Sequence, residues 1–80
     1  MLYSLRDFVK IDRRILKMGT ITCVYKEINA YQVMCAQTMK FYTIEKKEIK
    51  EVISGEKLNK LIKSKSLFLP PESLYRERKE

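Results

Sequence analysis

The feature that most narrows the fold is a run of three short segments, residues 20–25 (TITCVY), 30–36 (AYQVMCA) and 39–44 (MKFYTI), parted by polar breaks of only a few residues. β-branched, aromatic and other apolar side chains dominate each, and such side chains pack well on a pleated surface. In the second segment Tyr31, Val33 and Cys35 alternate with Gln32 and Met34, the two-residue period of a strand. With turns this short, the three segments read as an antiparallel meander of hairpins. Asn29 ends the first break, and Asn tolerates the left-handed conformation that tight turns use.

The flanks extend the pattern. Residues 7–12 alternate Val9 and Ile11 against Lys10 and Asp12, a half-buried strand. Arg13, Arg14 and Lys17 then form a basic loop around Ile15 and Leu16, and Gly19 is expected to close it with a tight turn or a positive φ. Residues 45–53 read as one helical turn followed by a short closing strand at 51–53. Ser54 or Gly55 is placed to cap a helix over about 56–65, whose apolar stripe is Leu58, Leu61 and Ile62, with Lys60 and Lys63 opposite. After Pro70 and Pro71, Glu72 early and Arg76, Arg78 and Lys79 late suit a last short helix. The expected core is Val9, Ile11, Ile21, Val33, Phe41 and Ile44, with Tyr31 also inside and the helical stripe covering an open side or end of the sheet.

A chain of 80 residues has no room for a second core. Residues 1–53 form the β domain, and 54–80 form an extension that packs back on it or serves as an arm for a partner or a second copy. The absence of His removes His-dependent triads, His general bases and His metal ligands. Two Cys fall short of the four ligands of a structural zinc site, and Gly19 and Gly55 are too far apart for a phosphate-cradling loop. No catalytic residue, metal or cofactor is therefore expected, and the chain reads as non-enzymatic. Cys23 and Cys35 lie at equal distances from Asn29 and are expected to face each other across the hairpin. Both are expected to stay free, since one possible pair in a small chain fits a reducing cytoplasm. No apolar run approaches the ~18 residues that span a membrane, and the N-terminus lacks the pattern of a secretory signal.

Charge carries most of the functional information. Lys and Arg number 17 against 10 Asp and Glu, a net +7 that favours polyanionic partners. In the first loop only Asp12 adjoins Arg13, Arg14 and Lys17. Lys46, Lys47 and Lys50 are interleaved with Glu45, Glu48 and Glu51, and the tail cations Arg76, Arg78 and Lys79 are balanced by Glu72, Glu77 and Glu80. The loop cations are thus expected to matter more than those of the tail. Tyr25 and Tyr42 are candidates to face water and stack on bases. The candidate binding residues are Arg13, Arg14, Lys17, Lys46, Lys47, Tyr25 and Tyr42.

The elements Asp7-Phe-Val-Lys-Ile, Gly19-Thr-Ile-x-x-Val-Tyr, Tyr31-x-Val, Phe41-Tyr-Thr-Ile and Ile49-x-x-Val together resemble small SH3-like β-barrels, both compact bacterial and phage proteins and the KOW-type barrels of ribosomal and transcription proteins. The resemblance spans residues 7–53. It implies a mostly β fold, a barrel of about five strands, here with a C-terminal α-helical extension. It also implies that the first loop and the turn before the last strand lie near one end, so that the two basic groups merge into a patch. Members of the family bind RNA, DNA or peptides. The first expectation is therefore a small basic module that binds nucleic acid or a ribonucleoprotein through loop Arg and Lys and exposed Tyr. The alternative is a phage or mobile-element protein that binds and inhibits a host defence protein. A homodimer through the C-terminal segment is a further possibility.

Overall fold

A computed structural model describes residues 3–76. The chain is mostly β, with five strands in one antiparallel sheet and one α-helix. The strands are β1 (Phe8–Ile11), β2 (Met18–Tyr25), β3 (Ala30–Cys35), β4 (Phe41–Glu45) and β5 (Ile49–Val52), and the helix is α1 (Gly55–Lys65). Their order in space is β4-β3-β2-β1-β5, so the meander is present as β2, β3 and β4, and β5 returns across the sheet to pair with β1. Short 3₁₀ turns, Lys26–Ile28 and Lys46–Glu48, join β2 to β3 and β4 to β5. The closing strand begins at Ile49, earlier than the sequence reading placed it.

Both faces of the sheet are covered at its centre. On one face Val9, Ile11, Ile21, Val33, Cys35, Ile44 and Ile49 form the main core with Leu16 from the first loop and Tyr31. On the other, Phe8 joins Ala36, Ile53 and Leu67 in a smaller cluster, against which Leu58, Leu61 and Ile62 of α1 pack. β2 runs through the middle, and its residues from Gly19 to Cys23 are all buried, including Thr20 and Thr22. The hydroxyl of Thr22 donates within reach of two oxygens of Gln32, its backbone carbonyl at 3.3 Å and its side-chain oxygen at 3.2 Å.

Three expectations about the sheet are corrected. Phe41 is 44% exposed rather than core. Alternation places Tyr42 and Ile44 toward the main core, so Phe41 points to the opposite face, at an edge strand that α1 does not reach. Cys23 and Cys35 are both free and buried, but they are not partners: Cys35 faces Gly19 and Cys23 faces Gln32. The hairpin turns over Lys26–Ile28, before Asn29, which offsets the pairing, and a bulge between Ile21 and Cys23 shifts it by one residue and sends the two thiols to opposite faces of the sheet. Gly19 does not turn the chain. It sits inside β2 without a positive φ, and a Cβ there would collide with the Met34 carbonyl oxygen and the Val33 side chain. Close strand packing, rather than backbone freedom, requires the glycine. Ser54 stands at the N-cap of α1, one of the two positions expected, and makes no side-chain cap bond.

The last short helix reduces to a single 3₁₀ turn, Glu72–Leu74, because the sheet takes up the backbone on either side of it. The Phe68 N–H donates to the Ala36 carbonyl at 2.8 Å, and the Arg76 N–H donates to the Thr22 carbonyl at 2.8 Å. Arg6 clamps this segment, with its guanidinium 2.6 Å from Glu72 and 4.4 Å from the centre of the Tyr75 ring. Arg78 and Lys79 lie outside the described residues.

Candidate functional site

Asn29 adopts the left-handed conformation at φ 51°, which ends the first 3₁₀ turn. Its carbonyl accepts the Lys46 N–H at 3.1 Å, which ties that turn to the second one, at the same end of the sheet. Two clefts adjoin there and share Tyr3 and Asn29. One, of about 460 Å³, is completed by Ile28, Glu45, Lys46 and Lys47. The other, of about 240 Å³, is completed by Val24, Tyr25, Lys26 and Tyr31. The rings of Tyr3 and Tyr31 meet edge to face at 5.8 Å, which braces the shared wall. Tyr25, Lys46 and Lys47 of the expected set therefore come together, with Tyr3 and Lys26 beside them. Ile28 stands 67% exposed on the rim.

The first loop reaches the same region, but its leading cation is engaged. Arg13 donates to both carboxylate oxygens of Glu48 and to the Thr43 carbonyl, the latter at 3.2 Å. The Asp12 N–H adds a bond to the Glu48 carbonyl at 2.8 Å. The Arg13 hydrogen bond holds the Glu48 carboxyl below its usual pKa, against the opposing effect of its partial burial. Lys47 lies 3.2 Å from Glu45, and Lys50 lies 3.9 Å from Asp12. The two basic groups thus meet at one end, through alternating ion pairs rather than as a continuous patch of free cations. Arg14 and Lys17 are exposed. Tyr42 is half-buried against the main core, because it lies opposite Val33 on the core-facing side of β4. Tyr25 is half-buried as well.

A second basic region escaped the sequence reading. A groove of about 400 Å³ runs between α1 and the sheet, and Lys10, Lys57, Lys60 and Lys65 line it. The sequence already places Lys60 on α1, but the contribution of Lys10 depends on β1 lying between β2 and β5.

Among the described residues, no three or more His, Cys, Asp or Glu are grouped to hold a metal, and no helix is long and apolar enough to cross a membrane. Burial opposes ionisation of the Cys35 thiol, yet hydrogen bonds from the Thr38 hydroxyl and from the Gln37 and Thr38 backbone outweigh it and lower the pKa. That thiol is 1% exposed and belongs to the main core, so it is closed to substrates. Comparison of the chain with protein-family models, with curated proteins and with solved structures finds no significant match.

Proposed function

We propose that this chain is a small, basic, non-enzymatic binding module of SH3-like barrel type that contacts single-stranded nucleic acid, free or in a ribonucleoprotein, through the sheet end. The barrel reading is supported by the strand order and by the 3₁₀ turn that delivers β5 to the free side of β1. The observation that carries the function is the pair of adjoining clefts in which Tyr3 and Tyr25 lie among Lys26, Lys46 and Lys47. Aromatic faces beside cations suit a single strand, because every base has a face to stack and every nucleotide a phosphate to neutralise. Arg14 and Lys17, on the first loop, supply further attraction. Arg13 serves the architecture of the end by fixing Glu48 rather than meeting a phosphate.

The test is a titration of a short labelled oligonucleotide, DNA and RNA, at two salt concentrations. Binding is expected to weaken with salt by about 0.7 in the log–log slope per phosphate contact. Lys46→Glu with Lys47→Glu is expected to lower both affinity and slope, and Tyr25→Ala to cost about 1–3 kcal/mol for a lost stack. Salt-insensitive binding, or none, removes the nucleic-acid reading.

A further inference from the structure

The groove beside α1 differs in chemistry from the sheet end. Its floor includes the cross-strand row Met18, Lys10 and Glu51, which the β2–β1 and β1–β5 registers place side by side. Its wall is α1, which contributes Leu61 together with Lys57, Lys60 and Lys65, and Ile53 closes the apolar part. Glu51 is the single acid among these residues, and none of the four lysines is ion-paired among the described residues. They are exposed, so each ammonium is open to an incoming anion.

Three considerations select the occupant. The cations call for negative charge, and as lysines they offer point charges on flexible stems that accept carboxylates without a fixed fork geometry. The apolar strip of Met18, Ile53 and Leu61 calls for an apolar side chain, and the pliable Met18 adapts to its shape. No aromatic ring lines the groove, so an unpaired base finds nothing to stack on, which weighs against a nucleic-acid strand. The length is also defined. An α1 of 11 residues is about 16 Å long, a span that about five residues of extended peptide cover.

We propose that this groove docks an acidic segment of a partner protein, about five residues in extended form. One apolar side chain of that segment lies over Met18, Ile53 and Leu61, and its carboxylates pair with Lys10, Lys57 and Lys60. The inference is independent of the nucleic-acid reading, since the two sites share no residue.

Selection of a random decapeptide display library on the intact protein, followed by fluorescence anisotropy of the selected peptides, tests it. The expected selection combines Asp or Glu with one or two large apolar residues. Lys57→Glu with Lys60→Glu, at exposed helix positions, is expected to weaken these peptides at least tenfold with an unchanged melting temperature. Arginine at both positions is expected to retain binding, as is the Lys46→Glu, Lys47→Glu variant. The proposal is overturned if no acidic–apolar peptide is enriched, or if the selected peptides bind the Lys57→Glu, Lys60→Glu variant equally well. It is also overturned if replacing their apolar residue by Ser has no effect, or if that variant loses oligonucleotide binding instead, which makes the groove a nucleic-acid contact.

Discussion

Two regions hold much of the positive charge of this molecule, and they treat it in opposite ways. At the sheet end, Arg13, Lys47 and Lys50 each stand beside an acid, namely Glu48, Glu45 and Asp12. Along α1, Lys57, Lys60 and Lys65 join Lys10 with no ion-pair partner among the described residues. The difference lies in how acids and bases are threaded. Over 45–51 they alternate along a tight turn that folds onto the first loop, so opposite charges meet. On α1 the groove-facing positions carry lysines, while Glu56 lies outside the groove. A cation paired and partly shielded, as Arg13 is with Glu48, positions backbone, whereas an unpaired one, or one in an open pair such as Lys47 with Glu45, still attracts ligand. Net charge alone does not distinguish them.

The comparison can be broken most severely at the wall of the groove. Leu61 is half-buried against the cluster of Phe8, Ala36, Ile53 and Leu67, so Leu61→Ala is expected to cost roughly 2 kcal/mol, at the lower end for a large-to-small change. The urea midpoint reads this directly, and an unchanged midpoint shows that α1 is not held to the sheet and that no stable groove exists. Next in size is Arg13→Glu, which sets a carboxylate against Glu48 and leaves the Thr43 carbonyl without its donor. A loss of about 1–2 kcal/mol is expected. At roughly 4–8 °C per kcal/mol in a domain of this size, thermal melting resolves it easily. The Lys57→Glu, Lys60→Glu variant is expected to stay within about 0.5 kcal/mol of the parent, as exposed and unpaired positions do. Equal losses in the two variants dissolve the distinction between paired and unpaired cations.

Acid sharpens the same contrast at smaller scale. The folded-state pKa of Glu48 lies below its unfolded value, with the Arg13 hydrogen bond as the leading cause. Its contribution is therefore present above the ordinary carboxylate range and is lost as pH falls through the depressed value. Both side chains keep some contact with water, 35% for Arg13 and 20% for Glu48, so about 1 kcal/mol is expected. Arg13→Ala should be less stable than the parent at neutral pH, and the two stability curves should converge in acid. A gap that persists at low pH assigns the effect of Arg13 to packing or to its bond with Thr43. The smallest effect belongs to Arg14, which is exposed on the same loop. Arg14→Ala should leave the melting temperature unchanged and reduce the salt slope of oligonucleotide binding by at most about one phosphate contact. A clear loss of stability there shows that Arg14, like Arg13, is structural.

Much of the fold was legible in the residues themselves. The period of two over 30–36, the β-branched run at 20–25 and the stripe of Leu58, Leu61 and Ile62 each depend on near neighbours, and strands and helix appear where they were expected. Asn29 turns left-handed as its short amide side chain permits. Of the site, Tyr25, Lys46 and Lys47 converge because both turns cap the same end of a meander. Even the exposure of Phe41 was implicit in the chain, since positions 41 and 44 of one strand face opposite ways. What local pattern lacked was knowledge of which face would be covered, and where. The bulge that sends Cys23 and Cys35 to opposite faces and the close approach that demands Gly19 depend on how β2 and β3 pair, and the bond of Arg13 to Glu48 joins turns 35 residues apart. Lys10 enters the groove for the same reason, because β5 pairs with β1 and carries α1 with it. Within an unbroken strand or helix the sequence alone determined which residues share a face, because covalent geometry sets that spacing. Which faces meet was decided only in the tertiary structure, where burial and hydrogen bonding are satisfied across the whole chain at once.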